Sequence, residues 1–392
     1  MDPGKLKDIV LNAQRPCVLK NIDIPWNCFQ LTFHDWCQLF DSSSEGLISF
    51  AGSTVKSGLS PQWERQRTEA RLRMSDICNA SSAVPERWNS FSYRNIHELP
   101  EQCRRGVNFT PFGFPEVQDD ITFWVGSAHA HTPCHYDTYG CNIVVQVYGR
   151  KSWILLPPEA KLTPVRVPFE ESSVYCMENF YSPASYGQLI AVENQIYHTV
   201  LEPGMVLIVP PKWWHFVENL EPSLNFNTWL SLEKDVDSLI SECITKILIQ
   251  DICSGLSEDL HKYVLNPNED TICSESSIDE SYGILQHLLN MKRTNKQQCL
   301  GMKRYPFGYL TNDEFSKLTE SRESVVEAVP LLPACDFFHM MKNNSLRYDQ
   351  ALNSQCNASD KECLERIRKV INVCCAPEVV ALIENCMMNE RS

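Results

Sequence analysis

From residue 121 onward the chain is divided into apolar runs too short to be anything but strands. "ITFWVG", "NIVVQV", "KSWILLP", "MVLIVP" and "NFNTWLSL" are rich in β-branched and aromatic residues and bounded by Gly, Pro or Asn. "VYGRKSW" reads as a hairpin turned at Gly149, and "HTVLEPGMVLIVP" as a second, turned at Pro203–Gly204. Short strands joined at regular spacing by tight turns predict a barrel or jelly roll. Upstream, "TFHDWCQLF" has helical spacing at Phe33, Trp36, Cys37 and Phe40 behind a capping Thr32. At Glu233 the period changes: Val236, Leu239, Ile240, Cys243, Ile244, Ile247 and Leu248 fall on one helical face. The expected organisation is therefore a β domain with an N-terminal elaboration over residues 1–232. A mostly helical region with polar connectors follows over residues 233–392.

The charge narrows the choice of partner. A net charge of −14 repels phosphate backbones, which disfavours nucleic acid and suits a basic peptide or protein. The N-terminus, "MDPGKLKDIVLNAQRPCVLK", has no continuous apolar core, so neither a signal peptide nor a membrane span is expected there. Eighteen cysteines without an export signal, and without a CxxC pair, read as free thiols. The expected compartment is the cytoplasm, with the nucleus as a second location.

Metal-ligand chemistry concentrates in "HTPCHYDTYGCN". His135 and Asp137 are two apart, and on an extended segment both point to one face. His215, in "VPPKWWHFVEN", follows a strand eighty positions later and is the candidate third ligand. Two imidazoles and one carboxylate leave half of an octahedral ion open, the arrangement of non-haem Fe(II) oxygenases. Ligation by Cys134 or Cys141 would instead suit zinc or copper(I). Taken alone, an H-x-D pair is far more often two ordinary core side chains than two metal ligands.

The strings "HTPCHYD", "NIVVQVYGRKSWILLPP", "PGMVLIVPPKWWHFVENL" and "NFNTW", in that order, resemble the JmjC domain. The resemblance implies a mainly β fold with α elements: a double-stranded β-helix, or cupin-like jelly roll, followed by a helical C-terminal region. It also implies an oxygenase using Fe(II), 2-oxoglutarate and O2. His135, Asp137 and His215 match the iron ligands. Thr132 and Lys151 match the groups that bind the distal carboxylate of 2-oxoglutarate, and Asn142 and Asn227 match asparagines lining that pocket. The family often adds an upstream tyrosine, but "RWNSFSYRN" carries Tyr93 off the expected position, with Ser90 or Phe91 there instead. The expected activity is hydroxylation of a protein side chain. Alternatives are a binding protein that regulates a small heat-shock protein in the stress response, a lysine demethylase, or a tRNA hydroxylase. The C-terminal helices are a candidate homodimer element.

Overall fold

The computed structural model describes residues 2–42, 47–53, 55–56, 68–79, 87–167, 173–266, 277–294, 304–320, 325–350, 352–353 and 358–389. Two antiparallel sheets face each other. The nine-stranded sheet runs Val326–Ala328, Cys17–Leu19, Val206–Val209, Cys141–Tyr148, Ser223–Leu230, Thr122–Gly126, Arg87–Asn95, Leu47–Ser53, Thr68–Leu72. The six-stranded sheet runs Pro164–Arg166, Ser173–Cys176, His131–Asp137, Trp214–Asn219, Lys151–Leu156, Tyr197–Leu201. Successive strands cross between them. Thr122–Gly126 lies in the large sheet, His131–Asp137 in the small, Cys141–Tyr148 in the large and Lys151–Leu156 in the small. After an excursion the pattern resumes from Tyr197–Leu201 through Ser223–Leu230. This is the expected double-stranded β-helix, and helices follow it.

The crossing overturns both expected hairpins. Cys141–Tyr148 pairs with Val206–Val209 and Ser223–Leu230, whereas Lys151–Leu156 pairs with Tyr197–Leu201 and Trp214–Asn219. The turns at Gly149 and Pro203–Gly204 are corners between sheets. Turn chemistry reverses the chain but does not choose the sheet that receives it. Gly149 sits at φ +64°, and a Cβ there would lie 2.0 Å from the Pro222 carbonyl oxygen. Gly149→Ala is expected to destabilise the fold by at least about 1–3 kcal/mol, through left-handed strain plus the clash. A urea midpoint equal to wild type would contradict this reading of the corner.

Alternation places the site. On Cys141–Tyr148, Asn142 and Val144 face the space between the sheets, while Ile143, Val145 and Val147 join the outer core with Trp26, Trp36, Phe40, Phe123 and Phe226. The N-terminal helices Pro3–Asn12 and Phe33–Asp41 cover that outer face. Thr32 caps the second as expected, in a reciprocal box with Asp35. The outer face of the small sheet is covered by Leu162, Phe180, Tyr181, Leu189 and Ile196, and by the helix Ala334–Gln350 through Phe337 and Met341.

Residues beyond 232 also build on the barrel. Val326–Ala328 extends the large sheet beside Cys17–Leu19. Arg347, on Ala334–Gln350, grips Glu218 at 2.8 and 3.1 Å, three positions after His215. Burial alone would raise the Glu218 carboxyl; hydrogen bonds and charge from His129 and Arg347 hold it below the usual range instead. Arg347→Ala leaves a buried carboxylate without its main cation and is expected to cost about 3–5 kcal/mol. A urea titration reads this loss, and an unchanged midpoint would mean the pair carries no stability. The helices Asp235–Cys253, Ile278–Thr294 and Pro377–Asn389 pack on one another through Ile240, Ile244, Leu285, Leu289 and Val380. Among the described residues no single helix is long and apolar enough to cross a membrane.

Candidate active site

A cavity of about 340 Å³ opens between the sheets. Of the sequence-predicted residues, Thr132, His135, Asp137, Asn142, Lys151, His215 and Asn227 all line it. His135 pairs directly with His215 across neighbouring strands of the small sheet. Their rings lie 4.2 Å apart, and the Asp137 carboxylate closes a three-cornered group whose ligand atoms are all within 4.8 Å of one another.

Thr132 is three positions before His135, so strict alternation would turn it to the other face. The ladder explains why it is not. Val217 opposes Thr132 and His215 opposes His135, so the ligand strand holds one residue more than its partner between these pairs. The bulge falls at Pro133–Cys134, where proline has no N–H to lose from the ladder, and it brings Thr132 back into the cavity. Cys134 is sent outward into the core with Ile154 and Phe216. Cys141 packs in the outer core, its thiol against the carbonyls of Val10 and Val209. Neither cysteine belongs to the metal-ligand group.

Both imidazoles are fixed in one tautomer. His135 Nδ1 lies 2.8 Å from the Pro133 carbonyl, and His215 Nδ1 lies 2.9 Å from that of Trp213. A carbonyl only accepts, so each Nδ1 carries the hydrogen and each Nε2 presents a lone pair. Burial, and then the neighbouring His215, push His135 down to about 4, so it is a neutral ligand at physiological pH. The Nε2 atoms stand 3.7 and 3.9 Å from the Asp137 oxygens, too far for hydrogen bonds. Among the described residues no lysine or arginine pairs with Asp137, a carboxylate only 9% exposed. A buried carboxylate facing two imidazole Nε2 atoms suits a cation. A set of two nitrogens and one carboxylate fits Fe(II).

Further along the cavity the sign reverses. Leu155 is the residue opposite His215, so the Lys151 backbone lies four residues along the same strand, roughly 13 Å away. The Lys151 ammonium is buried, and donates to the neutral Asn225 Oδ1. Burial pushes it down from 10.5 to about 7. With Thr132 on the same wall, this end suits an anion.

Asn142 and Asn227 do more than line the pocket. Asn142 Nδ2 donates to Asp137 Oδ2 at 3.3 Å, and Asn227 Nδ2 donates to Asn142 Oδ1 at 2.9 Å. Trp124 Nε1 in turn donates to Asn227 Oδ1 at 2.7 Å. Sequence reading missed Trp124 and Asn225. Asn225 was within reach, because it alternates with Asn227 and Trp229 in "NFNTW"; nothing in "ITFWVG" distinguishes Trp124 from a core residue. The side chains of Phe91, Ser92 and Tyr93 lie outside the described residues, and Ser90 is buried.

Comparison with known proteins agrees with this geometry. The model of the cupin-like domain matches residues 3–235. HSPB1-associated protein 1 homolog of Danio rerio is 31% identical over 327 residues, covering 77% of this chain and 69% of the relative. The chain belongs to the cupin-like JmjC family. HSPB1-associated protein 1 of Bos taurus is 33% identical over 288 residues, 68% of this chain and 58% of the relative. Lysine-specific demethylase JMJ30 of Arabidopsis thaliana is 34% identical over 180 residues, 45% of this chain and 38% of the relative. The matched region thus spans just under three-fifths of the bovine protein's length. Members of the JmjC family are generally oxygenases, typically binding Fe(II) and 2-oxoglutarate.

Proposed function

We propose that this chain is an Fe(II)- and 2-oxoglutarate-dependent dioxygenase that hydroxylates a protein side chain. One observation carries the reading: a single cavity holds a carboxylate between two imidazoles and, further along, a buried ammonium, neither with an ion-pair partner of opposite charge from a described lysine, arginine, aspartate or glutamate. His135, Asp137 and His215 would hold the iron and leave its other positions open. Lys151 and Thr132 would bind the distal carboxylate of 2-oxoglutarate. When bound, the metal and cosubstrate supply, with O2, the oxidising power to hydroxylate a C–H bond. The walls formed by Trp124, Trp153, Val144, Val217 and Trp229 exclude water around the reacting atoms. Apart from Asp137, no described residue lining the cavity carries a carboxylate to meet a cationic lysine, which supports a neutral target over demethylation.

The relatives' name supplies a partner to test, the small heat-shock protein HSPB1. A binding role toward such a protein is the second reading, and the chain's −14 charge suits a basic surface on either partner or substrate. Eighteen cysteines without a CxxC pair suit a reducing compartment, and we place the protein in the cytoplasm, with the nucleus as a second location. Exposed Val370, Val373 and Leu382 on the last two helices are the surface on which a homodimer would form. Incubation with Fe(II), 2-oxoglutarate and HSPB1, followed by intact-mass and peptide spectrometry, tests the activity. Hydroxylation adds one oxygen atom to a peptide; loss of a methyl group instead would mark a demethylase. A stable complex with unchanged peptides would favour the binding role.

A further inference from the structure

Two amides stand between the indole of Trp124 and the carboxylate of Asp137, and the chemistry of the indole fixes how both are turned. An indole nitrogen only donates. Trp124 Nε1, 2.7 Å from the Asn227 side chain, therefore requires the Asn227 oxygen to face it. The Asn227 NH₂ group must then face Asn142, 2.9 Å away, and meet the Asn142 oxygen. The Asn142 NH₂ group is left to face the Asp137 oxygen at 3.3 Å. Reversing either amide would set two hydrogens or two lone pairs against each other at one contact. The chain of bonds therefore runs in one direction only, away from Trp124.

We propose that Trp124 is a positioning residue for the metal centre: its indole N–H sets the direction of the Asn227–Asn142 pair, and so ensures that Asp137 receives a donor. Resting on the metal-centre reading above, this assignment gives Trp124 no contact with the metal. It has one consequence for the site. The donor pins one Asp137 oxygen and leaves the other, 3.7 Å from His135 Nε2, free to ligate an ion. The strand geometry makes this arrangement possible: Asn227 stands opposite both Val144 and Thr122, at the centre of three adjacent strands of the large sheet.

The full-length protein and its Trp124→Phe variant would be titrated with Co(II) as the probe ion, with affinity taken from calorimetry and ligand-field geometry from the d–d absorption bands. Selective ¹⁵N-asparagine labelling would report the two side-chain amides without metal. Trp124→Phe keeps a ring in place but removes the N–H. The expected result is Co(II) affinity weakened about tenfold to a hundredfold, altered d–d bands, and shifted Asn142 and Asn227 NH₂ resonances. An unchanged affinity and spectrum would overturn the proposal. If the variant folds poorly, Asn227→Asp decides, because it preserves the bond from Trp124 but cannot donate to Asn142. It should weaken Co(II) at least as much, and wild-type binding would overturn the assignment. Should the wild-type protein itself bind no Co(II), the metal-centre reading fails. The metal-free NH₂ resonances would then still decide the direction of the bonds: unmoved by Trp124→Phe, they would remove it.

Discussion

Asp137→Ala is expected to abolish 2-oxoglutarate turnover, measured as succinate formed by the purified protein with Fe(II) and no added substrate. The loss should exceed about a hundredfold, the upper end of what removing a residue beyond the ligands alone costs. Asp137 is the only anionic corner of the three-ligand group, so its removal leaves two neutral nitrogens to hold a dication. The same change should not unfold the protein. A buried carboxylate flanked by two imidazoles and no described lysine or arginine is a local liability before metal binds, and its removal relieves it. Loss of turnover together with an unchanged or raised unfolding midpoint for the metal-free protein is the predicted pair. His135→Ala should match it in activity, since the two ligands act on one ion. Succinate production at the wild-type rate by either variant would remove the assigned chemistry.

Lys151→Met should act in opposite directions on stability and binding. Among the described residues the buried ammonium has a neutral partner only, Asn225, and burial has brought it down to about 7. Because the folded value lies below the unfolded one, the unfolded chain holds the extra proton between about pH 7 and 10.5. The penalty on the folded state is full below that window and is relieved as pH rises through it, so ligand-free stability should rise with pH there. Replacement by Met removes the penalty, flattens that dependence, and should stabilise the ligand-free protein by about 1–4 kcal/mol near neutrality. Affinity for 2-oxoglutarate should fall by about 2–5 kcal/mol, since its far carboxylate would be buried without a cation. In the wild-type protein binding should take up a proton. Affinity should weaken as pH rises above about 7, approaching tenfold per pH unit. Calorimetry in buffers of different ionisation heat measures both effects. A pH-independent affinity with no proton uptake would mean that Lys151 does not meet the anion.

The convergence of His135, Asp137 and His215 was legible because it obeys two simple periods. His135 and Asp137 share a face by alternation, and His215 follows a strand whose apolar run is unmistakable. Lys151 was legible for the same reason, alternating with Trp153 into the cavity. The connections were not. Gly149 and Pro203–Gly204 announce reversals, but which sheet receives the next strand depends on distant partners, such as Tyr197–Leu201 against Lys151–Leu156 and Val206–Val209 against Cys141–Tyr148. The Pro133–Cys134 bulge was equally hidden, since only the register against Val217 reveals the extra residue that turns Thr132 inward. Val326–Ala328 has too short a pattern to be read as a strand; it is ordered by the free edge that Cys17–Leu19 offers it. The asparagines were read as pocket wall, and their shared bond to Asp137 emerges only when strands from three parts of the chain are adjacent.

The central claim is that one cavity takes a divalent cation at the imidazole–carboxylate end and a dicarboxylate reaching the lysine end. Calorimetric titration of 2-oxoglutarate into the full-length protein loaded with Mn(II), a redox-silent stand-in for Fe(II), tests it most directly. The account predicts one-to-one binding that requires the metal and disappears in both His215→Ala and Lys151→Met. Binding of equal strength without metal, or retained by either variant, would contradict it.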